Sequence, residues 1–106
     1  MKKLAFCVVA VAGALAGVAS ASTNDRSYDG AVTCKALSLL ASRAADPSSK
    51  AALKLIDAEI AKEIERGKTA EQVAADVEYA RFEWHDTMSQ ETIDVEWVAC
   101  VRKWAN

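Results

Sequence analysis

The chain has 106 residues, with 13 Lys and Arg against 15 Asp and Glu, a single histidine, a single proline and three cysteines. A formal charge of −2 argues against nucleic acid or an anionic membrane surface as the main partner, since both select a basic face. The length allows one domain, near the lower limit of what a single core stabilises without a staple.

The chain opens with a basic start at Lys2 and Lys3, then an uncharged Ala- and Val-rich run from Leu4 to Val18, then Ala19-Ser20-Ala21. This is the pattern of a cleavable secretory signal peptide over residues 1–21, with the small residues suited to a signal peptidase. The run is shorter than the roughly 20 apolar residues needed to span a bilayer. Cys7 follows Phe6 and precedes the end of the run, which does not make a lipidation site. The expected location is the bacterial periplasm, or otherwise the medium. The mature chain, from Ser22, has 11 basic and 15 acidic residues, a charge of −4.

Export gives the cysteines a meaning. The mature chain keeps two, Cys34 and Cys100, and an even count in an oxidising compartment predicts a disulfide. In the chain-entropy model such a bridge stabilises by roughly 4 kcal/mol. No Cys-x-x-Cys is present, which argues against a redox-active pair.

Residues 22–27 are polar and form a leader, expected to be flexible, to a single domain over 28–106. From Tyr28 onward the pattern is helical throughout. The first helix is expected to begin at Asp29 or Thr33 and run to about Ala45. Asp46 then caps a second helix with Pro47 in its first turn. Leu53, Ile56, Ile60 and Ile64 form its apolar stripe, and Gly67 closes it. Thr69 and Gln72 match a capping box for a third helix, which carries Val73, Val77, Ala80 and Trp84 on one stripe with Tyr79 and Phe82 beside it. A break near Asp86 to Ser89, with Thr87 or Ser89 as cap, opens a fourth helix bearing Ile93, Trp97, Cys100 or Val101, and Trp104. The fold class is therefore all-α, a small antiparallel four-helix bundle stapled by Cys34–Cys100. An up-down-up-down order brings the two cysteine-bearing ends to the same pole. The expected core is Leu37, Leu40, Leu53, Ile56, Ile60, Ile64, Val73, Val77, Trp97 and Val101.

No motif selects a catalytic or cofactor-binding constellation. His85 has no His-Glu-x-x-His or cysteine cluster to make a metal site, and no Gly-x-Ser-x-Gly elbow accompanies it. Fifteen carboxylates offer many pairs for acid–base chemistry, but no pattern singles one out. The expectation is a protein that is not an enzyme and takes no cofactor or metal.

The segment between Arg81 and Arg102 is more informative. It holds Glu83, Asp86, Glu91, Asp94 and Glu96 with no Lys or Arg among them, and Trp84 and Trp97 are interleaved. Two readings stay open. Both tryptophans face the core and the acids are solvated surface, or these seven residues are a candidate site for a protein partner with a basic surface.

Thr33-Cys34-Lys35-Ala36-Leu37, paired with Ala99-Cys100, resembles the framework of the periplasmic acid-stress chaperones over about ten residues. Those are small exported helical proteins in which one disulfide joins a Thr-Cys helix start to a later helix. The cysteine spacing here is longer, and no basic tail follows Cys100. The leading expectation is a small exported, non-enzymatic protein that binds another protein, as inhibitors and immunity proteins do. A stress holdase, which the resemblance implies, and a small-molecule carrier are the alternatives.

Overall fold

The computed structural model describes residues 26–105. The expected signal peptide and most of the polar leader lie outside the described residues. Four helices follow in order: α1 (Tyr28–Leu40), α2 (Pro47–Glu65), α3 (Ala70–Thr87) and α4 (Gln90–Ala105). Among the described residues there is no strand.

Local chemistry explains most of the boundaries. Asp46 accepts a hydrogen bond from the Ser49 backbone N–H at 2.7 Å, with Pro47 opening α2. At the other end the Gly67 N–H donates to the Ile64 carbonyl and the Lys68 N–H to the Glu63 carbonyl. That pair of bonds is a Schellman closure, and it needs the positive φ of 122° that Gly67 adopts. The expected capping box is complete: Gln72 N–H donates to Thr69 Oγ1 at 3.0 Å, and Thr69 N–H to Gln72 Oε1 at 2.8 Å. Ser89 Oγ accepts from the Thr92 N–H and caps α4, while the Thr87 hydroxyl donates back to the Glu83 carbonyl.

α1 departs from expectation at both ends. Its N-cap is Ser27, whose hydroxyl accepts from the Gly30 N–H, so Asp29 is left in the first turn and Thr33 within the helix. Cys34 therefore lies midway along α1 instead of near its start. The helix also stops at Leu40, five residues short of Ala45. Side chains of α4 capture the chain there: Asp94 accepts from both the Ser42 N–H and the Ser42 hydroxyl at 2.9 Å, and Gln90 Nε2 donates to the Leu40 carbonyl at 2.9 Å. A tertiary contact thus ends the helix before the Asp46-Pro47 signal is reached.

The packing order also differs from a square up-and-down bundle, in which α3 would sit between α2 and α4. Here α1 is central and touches all three other helices. α2 packs on α1 and α4, whereas α3 packs almost wholly on α1, meets α2 briefly and scarcely touches α4. α1 can serve three neighbours because Ala31, Val32, Cys34, Ala36 and Leu37, buried on several sides of it, are mostly small.

The core joins Cys34 and Leu37 of α1 to Ala52, Ile56 and Ile60 of α2 and to Ile93, Trp97, Cys100 and Trp104 of α4. Cys34 and Cys100 form the expected disulfide, with Cα atoms 5.8 Å apart and both residues fully buried. Leu37, Ile56, Ile60 and Trp97 are buried as expected, and Leu40, Leu53, Val73 and Val101 pack partly buried against the core. Ile64 is a correction: it lies in the last turn of α2, where the chain turns away through Gly67, and is 40% exposed. Trp97 donates its indole N–H to Ser49 Oγ at 2.9 Å, which gives a buried serine and a buried indole each a partner. Trp104 is 1% exposed and its indole N–H has no partner among the described residues. The Arg26 guanidinium lies over its ring at 5.1 Å.

Candidate protein-binding groove

With one neighbour instead of two, α3 buries a single stripe and leaves the rest of its surface open. Val73, Val77, Ala80 and Trp84, at helical spacing, are each half-buried, and no residue of α3 is fully buried. Tyr79 and Phe82 project elsewhere and are 67% and 60% exposed. Isolated exposed aliphatics, such as Val95 on α4 or Leu55 on α2, are ordinary on a soluble surface. Two large aromatics one turn apart are less so, because aromatic side chains are enriched where proteins meet.

Beside Tyr79 a groove of about 580 Å³ runs between α1 and α3. Val32, Ala80, Trp84 and Met88 supply apolar lining, and Asp29, Asp76 and Glu83 supply carboxylates. No Lys, Arg or His lines it. Its carboxylates are held in different ways. Tyr79 donates its hydroxyl to Glu83 at 3.2 Å, and the neighbouring Glu83 charge raises the Tyr79 phenol above its ordinary value. Asp76 accepts from the Tyr28 hydroxyl at 2.7 Å and pairs with Lys68 at 3.2 Å. The Lys68 ammonium also lies 4.6 Å from the Tyr28 ring centre, so Tyr28, Lys68 and Asp76 brace the end of the groove. Burial, followed by the Asp76 hydrogen bond, drives the Tyr28 phenol far above its ordinary value.

The seven sequence candidates separate in space. Glu83 and Trp84 line the groove. Asp86 is exposed near the end of α3, 3.3 Å from the His85 ring. Glu91 is exposed in the first turn of α4, and Glu96 is half-buried further along it. Asp94 is engaged in holding the α1–α2 loop, and Trp97 is in the core, so neither faces the groove. Asp29, Asp76, Tyr79, Phe82 and Met88 were not among the candidates. Tyr79 and Phe82 carried a signal, since both fall outside the apolar stripe of their helix. Asp29 did not, because a carboxylate before a helix reads as a cap until Ser27 is seen to occupy that role.

Among the described residues no group of three His, Cys, Asp or Glu side chains is placed to hold a metal ion, and no helix is long and apolar enough to cross a membrane. A buried disulfide is consistent with an exported protein. Comparison with known proteins returns no match: no protein-family model, curated protein or solved structure is significantly similar to this chain. The likeness to acid-stress chaperones therefore rests on its own ten residues around the two cysteines.

Proposed function

We propose that this is a small exported, non-enzymatic protein that works by binding another protein, in the manner of an inhibitor or immunity protein, and that α3 is its binding helix. One observation carries the reading: α3 is anchored along one stripe only and offers exposed Tyr79 and Phe82 beside an apolar, carboxylate-lined groove. Its sequence adds five carboxylates against a single arginine, Arg81, which is already paired with Glu78. Such a surface steers a basic partner and sets its register, while the aromatics supply the contact area. The signal-peptide pattern of residues 1–21 and the disulfide support export as the setting.

The test is affinity capture from the cell envelope with the wild type and a Tyr79→Ala/Phe82→Ala variant. Both substitutions are at exposed positions and leave the core intact. The reading expects one partner near one-to-one stoichiometry with the wild type, and its loss with the variant. A scatter of unrelated proteins, equal for both, overturns it.

A holdase reading draws on the same thin attachment of α3. Release of that helix at low pH would uncover Val73, Val77 and Trp84 for unfolded clients. It expects dye binding and suppressed aggregation at about pH 2–3, where carboxylates are protonated. A closed, client-free monomer under those conditions removes it.

A further inference from the structure

We propose that the α1–α3 groove seats an arginine or lysine side chain presented by the protein partner. The inference deepens the binding function proposed above and rests on it. Carboxylates stand on both walls, Asp29 on α1 and Asp76 and Glu83 on α3, with no cation among the lining residues. Lys68 compensates Asp76 from the groove's end. Among the described residues the Asp29 carboxylate has no hydrogen-bond or ion-pair partner, and the Glu83 carboxylate accepts only the Tyr79 hydroxyl, through Oε2. Two carboxylates therefore remain free to receive a cation.

The lining between them suits the rest of a long basic side chain. Trp84 and Tyr79 line the groove, and aromatic rings attract a cation electrostatically. Met88 offers a soft apolar contact for a methylene stem. The volume of about 580 Å³ lies within the roughly 300–1,000 Å³ of typical ligand sites, enough for one long side chain and parts of its neighbours. A second copy of this chain fits less well, because apposing two α3 surfaces sets five carboxylates against five with Arg81 already paired. A purely apolar occupant would strip water from Asp29 and Glu83 and give nothing back.

The probe is a blocked peptide, acetyl-Gly-Leu-Arg-Leu-Gly-amide, with its lysine and citrulline counterparts, titrated into the isotope-labelled, disulfide-bonded protein. The arginine or lysine peptide is expected to shift the Trp84 indole signal and the Val32, Glu83 and Met88 amides saturably. Citrulline keeps the shape and removes the charge, and is expected to bind about tenfold more weakly. Asp29→Asn/Glu83→Gln is expected to weaken the arginine peptide by about tenfold with thermal stability unchanged. Equal binding of the citrulline peptide, or shifts confined to other surfaces, overturns the proposal. The parent reading fails separately. A partner held by Asp29→Asn/Glu83→Gln as tightly as by the wild type, but lost by Tyr79→Ala/Phe82→Ala, overturns the cation seat alone. A wild type that retains no partner overturns the binding function itself.

Discussion

Reducing the Cys34–Cys100 disulfide is the perturbation whose size follows most directly from the structure. The bridge links the central helix to the last one across a sequence separation of 66. The chain-entropy relation gives a loss of about 14–15 cal/mol/K in the unfolded ensemble, or about 4 kcal/mol at 25 °C. Both sulfurs lie in the core, so reduction leaves two thiols there with little change in packing. For a domain this small the urea m-value is about 1 kcal/mol/M, which converts the loss to a midpoint lower by about 4 M. Against a total stability of about 5–15 kcal/mol, the reduced protein is marginally folded at the lower end of that range. The assay is urea unfolding followed by tryptophan fluorescence, oxidised and under reductant. Cys34→Ala/Cys100→Ala is expected to lose at least as much, because it adds lost core volume. A midpoint shift below about 1 M refutes the reasoning, because the reduced unfolded chain would then retain enough structure to hold the two cysteines close without the link.

Three further outcomes are expected. Ser49→Ala strands the buried Trp97 indole N–H and removes the hydroxyl's bond to the Arg43 carbonyl. It should cost about 1–3 kcal/mol in chemical denaturation, and a loss near zero would show that water or repacking satisfies the indole. Gly67→Ala meets no steric obstacle, since nothing lies within 4 Å of the added carbon, yet it forces a side chain onto a φ of +122°. A loss of about 1 kcal/mol or more from backbone strain alone is expected, and unchanged stability would contradict it. Asp94 is held below the usual carboxylate range, first by the Ser42 backbone N–H, then by the Ser42 hydroxyl and the Gln90 amide. A depressed native value means the contact stabilises above the unfolded value of about 3.9 and is lost as pH falls through the native one. Protection of the Ser42 amide from hydrogen exchange should therefore fall below about pH 4, and the dependence should vanish in Asp94→Asn. Ser42 protection unchanged down to about pH 2 would count against this.

The four helices were legible because their boundaries are set by local chemistry. Asp46-Pro47, Gly67 and the Thr69-Gln72 pair each act within one turn of chain, and each does in the structure what its residue type implies. The end of α1 was not legible, because it is imposed by Asp94 and Gln90 from the other end of the sequence. The central place of α1 leaves a trace in its composition: between Tyr28 and Leu40 its only charged residues are Asp29 and Lys35, which suits a helix covered on several sides. The candidate site was half legible for a similar reason. Glu83 and Trp84 reach the groove from one helix, but the facing wall comes from Asp29 and Val32, some fifty residues earlier. Trp97 carries two readings in sequence, as part of the expected core and as a candidate beside the acids. The structure decides for the core, and the buried hydroxyl of Ser49 on α2, invisible to any local pattern, gives its indole N–H a partner there.

The central claim is that α3 is the binding helix, and amide hydrogen exchange of the protein with and without its captured partner tests it most directly. The account predicts that added protection concentrates in the outer half of α3 around Tyr79 and Phe82, and in the first turn of α1 around Asp29. Protection confined instead to the outward faces of α2 and α4, around Leu55, Val95 and Val98, with α3 unchanged, would contradict it.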